Sequence, residues 1–464
     1  MLDYDLSKRG DFSLYDYLYQ RIRNDIVSGA IESGQRLPSK RSLAQHLGVS
    51  VVTVESSYRQ LVAEGYVRTR PRSGYFVCEL PQAPSNVVAT REQDATNIDD
   101  DLTDPEATAY DAEAAGLWTR ALRATLNSEP EAEVFSIAPT EGLPRLRRAI
   151  AGHLRQTRGL SVKPSQVIVG AGAQMLDVML AQLIGSGKTF AVEDPGYTRL
   201  TRIYQSCREE VAHVSLDGSG PNMASLEASD ADVFHLMPSH QFPTGRVTSV
   251  SRRYELLGWA SEAPGRWLVE DDYDCEFRLA GKPVPALASI DAEGRVIYTN
   301  TFTKSLGSAL RLGYMVLPDE LSERFGSELG FYSSTVSSVQ QVALARILED
   351  GSYERHVARL RKRCRDARDE LVAALRSRPD ADRLHFENAD AGLHLVLAVE
   401  ANATDAYLAN AAEEAGVPAG VVAPLSRYAY DSVNAQAPDG LKRLAIRYDT
   451  LNHEAIEALA KLAI

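Results

Sequence analysis

The chain has 464 residues, 44% apolar and 24% charged, with a formal net charge of −13. That length exceeds one hydrophobic core and implies two or three domains of ordinary globular composition. No apolar run approaches the roughly 20 residues of a membrane-spanning helix, and Met1-Leu-Asp-Tyr-Asp is not a cationic-then-apolar leader. Four scattered cysteines without CxxC spacing read as thiols in a reducing compartment, so neither metal nor disulfides are expected and the expected location is cytoplasmic.

From the N-terminus, Leu14, Tyr17, Leu18, Ile22 and Ile26 fall at helical spacing and predict a first helix. Gly29 and Gly34 break it. Pro38 and Ser39 open a second helix to Leu47, and Gly48-Val49-Ser50 makes a tight turn. Ser50 is placed to cap a third helix running to about Glu64. Two short strands, 65–70 and 74–77, then flank Pro71-Arg72-Ser73. The charge is uneven: residues 1–80 hold eleven Lys/Arg against nine Asp/Glu, whereas 81–113 hold Arg91 against nine acids. A nucleic-acid contact depends on the local patch, so the acidic total excludes nothing. Residues 81–113 lack periodicity and read as an acidic linker.

From about 114 onward short apolar strands alternate with helical stretches, which predicts an α/β domain with a mostly parallel sheet covered by helices. The polar residues at the strands' carboxyl ends are then expected to converge on one crevice. A large part spans about 165–335; a smaller α+β part takes about 114–160 and 336–464. Gly172, Ala173 and Gln174 end one strand and start a helix, where small residues let amides approach a phosphate. Tyr197 follows the next strand, and Asp271 and Tyr273 share a face by strand parity, with Asp272 on the other face and kept as the alternative to Asp271. The loop Tyr298-Thr-Asn-Thr-Phe-Thr-Lys304, with hydroxyls at Thr301 and Thr303 and a cation at Arg311, holds what a pyridoxal phosphate pocket needs. The amine forms a Schiff base, while hydroxyls and guanidinium take the phosphate.

Two resemblances arise from these residues. The segment 12–78 resembles the winged helix-turn-helix of GntR-type bacterial repressors. By that resemblance Ser39, Lys40, Arg41, Thr53, Tyr58, Arg68, Arg70, Arg72 and Gly74 would meet double-stranded DNA. It departs from the pattern at Val51, where an Arg or Lys is usual, and at Glu55. The remainder resembles fold-type I, aspartate aminotransferase-like enzymes. Both halves in this order resemble MocR/GabR-type transcriptional regulators.

The resemblance implies pyridoxal 5'-phosphate held by Gly172, Ala173, Gln174, Tyr197, Asp271, Tyr273, Thr301, Thr303, Lys304 and Arg311, with His240 and Gln241 bordering the site. It also implies a homodimer. The substrate-carboxylate arginine of aminotransferases aligns with Ala445, leaving Arg443, Arg447 and Arg199 as candidate effector contacts. The expected function is therefore a sensor and not an enzyme: a small amine or amino acid, or the cofactor itself, changes DNA binding. Regulators of this type are associated with γ-aminobutyrate, vitamin B6, D-alanine or taurine, and the missing clamp favours vitamin B6 status here. The alternative is a working aminotransferase that carries a DNA-binding head.

Overall fold

The computed structural model describes residues 2–9, 12–71, 73–79, 111–279, 284–390, 392–430 and 440–462. They form two compact units divided between Leu102 and Thr103. Arg72 and residues 80–110, nearly all of the expected linker, lie outside the described residues. The linker's last residues belong to the fold, since Asp111 caps the helix Ala112–Ser128 by accepting from the amides of Glu113 and Ala114.

The first unit has helices Leu14–Val27, Lys40–Leu47 and Val51–Ala63, followed by antiparallel strands β1 (Val67–Arg70) and β2 (Gly74–Val77). Serines 13, 39 and 50 each cap a helix through the side-chain oxygen, satisfying an amide that would otherwise be orphaned. Gly48, at φ 65°, ends the second helix in the left-handed conformation that makes the turn tight. Leu18, Ile22, Leu43, Val54, Tyr58, Leu61, Val67 and Val77 form its core.

The second unit is built on an eight-stranded sheet of order β3-β10-β9-β8-β7-β4-β5-β6. The strands are β3 (Val167–Gly170), β4 (Thr189–Asp194), β5 (Glu210–Asp217), β6 (Gly220–Pro221), β7 (Val233–Leu236), β8 (Trp267–Asp271), β9 (Val296–Thr301) and β10 (Gly313–Val316). Strands β5, β4, β7, β8 and β9 run parallel. β10 inserts antiparallel between β3 and β9.

Alternate residues of these strands feed opposite cores. Val167, Val169, Tyr298 and Tyr314 pack against one helical layer, while Ile168, Val192, Ile297 and Met315 pack against the other. The helices Ala112–Ser128 and Pro144–Thr157 supply Leu117, Trp118, Leu146 and Ile150 to the first of these layers. The expectation that placed 114–160 in the smaller part is therefore corrected. Their apolar faces are buried on the large sheet.

The smaller part is an antiparallel sheet of order β11-β12-β14-β13, comprising β11 (Leu384–Glu387), β12 (His394–Val399), β13 (Val422–Pro424) and β14 (Lys442–Arg447). Its core joins Leu395, Leu397, Leu444 and Ile446 to Leu371 and Leu375 of the helix Ser352–Arg376. No helix among the described residues is long and apolar enough to cross a membrane.

Candidate functional site

In the first unit the helix Val51–Ala63 buries Val54, Ser57, Tyr58 and Leu61 at helical spacing. Tyr58, expected at the DNA, is fully buried with its hydroxyl on the Pro38 carbonyl at 3.0 Å, so it supports the helix from inside. That correction follows from the four-residue step between Val54 and Tyr58, which puts them on one face. Arg41, Arg68 and Arg70 are exposed, Arg70 lying over the Phe76 ring. Lys40 is engaged by Glu55 of the third helix at 2.7 Å. Ser39 and Thr53 take part in cap hydrogen bonds, Thr53 with Ser50. Gly74, at φ 108°, lies against the Arg36 side chain, 3.3 Å from where a Cβ would stand.

In the second unit the carboxyl ends of β9, β7 and β4 and the start of the helix Ala173–Ile184 surround one cavity. It leaves about 120 Å³ to the centres of water-sized spheres, against the roughly 10–15 Å³ a single water requires. Its walls bring together Lys304, Thr301, Thr303, Arg311, Tyr197 and Tyr273, residues spread over more than a hundred positions of sequence. Ala173 and Gln174 join them at one end.

That end is cationic. The helix Ala173–Ile184 starts at Gly172 with no side-chain cap, leaving first-turn amides for an anion. A Cβ on Gly172 would stand 2.7 Å from Arg311 Nη2, so the glycine admits the guanidinium to the helix terminus. At φ 83° it also holds a conformation other residues rarely adopt.

At the end of β8, Asp271 is buried, and its Oδ1 has no hydrogen-bond partner. A buried carboxylate oxygen without a donor is costly, and a protonated pyridine nitrogen is the type of donor it lacks. Asp272 faces the other way, bound by Arg158 Nη2 and the Tyr298 hydroxyl, each at 2.7 Å. The residues present therefore fit a pyridoxal phosphate: an amine, an anion cradle, an aromatic wall and an unfilled carboxylate.

Beneath Asp271 lies a titratable cluster that pattern reading of the sequence missed. His235 Nδ1 meets the Tyr204 hydroxyl at 2.7 Å, while its Nε2 is 3.8 Å from Asp271 Oδ2, an electrostatic distance too long for a hydrogen bond. Burial alone would lower His235; the carboxylates of Asp271, Asp177 and Glu193 outweigh it and raise its pKa. Burial pushes Asp177 up to about 7 and Glu193 up to about 8. His394, also missed, lines the cavity, and burial followed by the neighbouring His240 holds it well below the usual imidazole range. It is a neutral wall beside the Lys304 amine. A lone histidine inside an apolar strand (Val233–Leu236) was the available signal for His235.

The expected flanking and effector residues divide. Arg447 lines the cavity and forks onto Asp449 at 2.8 and 3.2 Å. Arg443 is corrected: it pairs with Glu387 of β11, four strand residues or about 13 Å along β14 from Arg447. Arg199 is half-buried in the first turn of the helix Thr198–Ser206 and is not among the described residues lining the cavity. Gln241 Nε2 donates to the Pro195 and Phe242 carbonyls and serves the loop itself. His240 binds Asp274 at 2.8 Å and stands 3.2 Å from the Tyr273 hydroxyl.

Comparison with known proteins agrees with this geometry. Residues 108–422 match the family model described as aminotransferase class I and II, and residues 14–77 match that of bacterial regulatory proteins of the gntR family. The chain is 32% identical to the probable rhizopine catabolism regulatory protein MocR of Rhizobium meliloti, over 92% of this chain and 89% of that protein. It is 33% identical to the HTH-type pyridoxine biosynthesis transcriptional regulator PdxR of Corynebacterium glutamicum, over 83% of each. An archaeal alanine:glyoxylate aminotransferase superposes with a TM-score of 0.65 at 22% identity, covering 77% of this chain and 89% of that one, a likeness of fold.

Proposed function

This chain belongs to the regulators that join a gntR-family DNA-binding domain to an aminotransferase class I and II domain, and from that premise we propose that it is a pyridoxal phosphate-dependent transcriptional regulator. The observation that carries the cofactor reading is the unpartnered, buried Asp271 Oδ1 in the same unit as a cavity-facing lysine. When bound, the cofactor supplies an aldehyde carbon that reacts reversibly with amines and a ring that accepts electrons. Lys304 would hold the aldehyde end. Asp271 would accept the ring nitrogen's proton in a hydrogen bond, and His235 would stand behind Asp271. Tyr197 would cover the ring face and Tyr273 its hydroxyl edge. The amides after Gly172, with Thr301, Thr303 and Arg311, would bind the phosphate.

An amine that competes with Lys304, or the cofactor itself, is the proposed effector. Arg447 is already engaged by Asp449, which supports an effector without a tightly clamped carboxylate. A relative named for pyridoxine biosynthesis supports the cofactor as the signal. Coupling to DNA then requires only a difference in ligand affinity between two conformations, typically about 1–3 kcal/mol.

A second copy of the chain is the proposed partner, because Phe135, at the end of the helix Glu131–Phe135, and Ile137, Phe331 and Tyr332 are exposed on adjoining segments. Those segments are linked by Ser338 Oγ, at the start of the helix Ser338–Glu349, to the Ser136 carbonyl and by Thr140 Oγ1 to the Gly330 carbonyl. Thr335 Oγ1 accepts from Ala171 N, which joins the patch to the phosphate end of the cavity. The substitution Phe331→Asp should halve the mass in solution.

The test of function has two parts. Borohydride reduction after incubation with pyridoxal phosphate should label one peptide, that of Lys304; labelling elsewhere, or none, overturns the cofactor reading. DNA affinity should then shift on adding cofactor or candidate amines. Repeated turnover of an amino donor with a 2-oxo acid, without any effect on DNA binding, would instead establish the enzyme.

A further inference from the structure

Resting on the reading that the first unit holds DNA, we propose that it chooses its sequence through thymine methyl groups met by Val51 and Val52, and not through guanine edges forked by arginine. The helix Val51–Ala63 follows the turn Gly48–Ser50 and occupies the recognition position of a helix-turn-helix, whose first residues reach base edges. Its first two side chains are aliphatic and open to solvent, Val51 at 41% and Val52 at 69% exposure. Val54, Ser57, Tyr58 and Leu61 turn inward, so Val52, Glu55 and Arg59 lie on the outward side.

The major groove offers one bulky apolar base group, the C5-methyl of thymine, set among hydrogen-bond donors and acceptors. An aliphatic side chain set against guanine O6 and N7 or cytosine N4 would strip those groups of water and return nothing. The polar groups next to the two valines are already committed. Thr53 Oγ1 is 2.8 Å from Ser50 Oγ in the cap, and the Glu55 carboxylate is held by Lys40 at 2.7 Å.

The cations stand around this apolar tip and not within it. Arg59 is seven residues beyond Val52, about 10.5 Å along the helix axis. Arg41 lies on the preceding helix, and Arg68 and Arg70 lie on β1. All four are exposed. Their placement suits phosphates bordering the groove, which fix position without reading sequence. Together these features give a positive frame around a methyl-reading centre.

The experiment uses the full-length protein. Selection from a random duplex library yields a preferred site, and each thymine in it is then replaced by deoxyuridine, which removes the methyl and keeps the base pair. One or two adjacent thymines per half-site should lose roughly fourfold in affinity each, the equivalent of burying one methyl-sized group. In Val52→Ala one of these positions should become indifferent to uridine. A selected site with no uridine-sensitive thymine overturns the proposal, as does a G·C-rich site whose preference disappears in Arg59→Ala. DNA binding without any enriched sequence also overturns it and leaves the DNA-binding function standing. Absence of any DNA affinity at low salt sinks both.

Discussion

The two units handle charge in opposite ways. In the winged helix, Arg41, Arg59, Arg68 and Arg70 are exposed, and the core beneath them is apolar. In the second unit the decisive titratable groups are buried: Asp271, Asp177, Glu193 and His235 lie together, and Asp272 is locked to Arg158. Exposed cations act at range, are screened by salt, and tolerate small displacements. Buried carboxylates act over one or two contacts in a low dielectric, where a proton more or less alters the site. A partner that is a long polyanion suits the first design; a small ring with one nitrogen and one phosphate suits the second.

The largest effect that would break this contrast is all-or-none. Lys304→Ala should abolish the borohydride-trapped adduct, read by mass spectrometry, while DNA affinity without cofactor stays near wild type. Next is packing in the cavity's supporting shell. A Cβ on Gly392 would stand 1.9 Å from His240 Cε1 at φ 71°, so Gly392→Ala should cost about 3 kcal/mol or more in denaturant unfolding.

A proton prediction sharpens the buried side. Asp177 is raised by burial from 3.8 to about 7, so the folded state favours its neutral form. That contribution is complete below the unfolded value and is lost as pH rises towards and through 7. Relative to Asp177→Asn, the wild-type protein should therefore lose stability between about pH 4 and 7. The urea midpoint of the variant should be the higher one at pH 8; an unchanged difference across that range would remove Asp177 from the cluster. The smallest effects lie on the exposed side. Arg41→Ala should flatten the slope of log affinity against log salt by about one, measured by fluorescence anisotropy. Glu55→Ala, by releasing Lys40, should steepen it by about the same amount.

What could be read from one dimension was periodic or contiguous. The helix Leu14–Val27, the serine caps and the strand parity that separates Asp271 from Asp272 all follow from spacing along the backbone, because caps and strand faces are set by near neighbours. Tyr58 shows the limit of reading a motif without its period, since the same spacing that makes the helix puts that ring inside. Arg443 and Arg447 share a strand face, yet one pairs with Glu387 and the other reaches the cavity.

The chain itself therefore determined two units, their elements and the residues bearing useful chemistry. Folding decided which of those residues meet. Asp177, His235 and Asp271, from one helix, β7 and β8, meet in one buried cluster, while Lys304, after β9, and His394, on β12, meet at one cavity. Contact between distant segments depends on sheet order and side-chain direction, and neither is encoded in any local window.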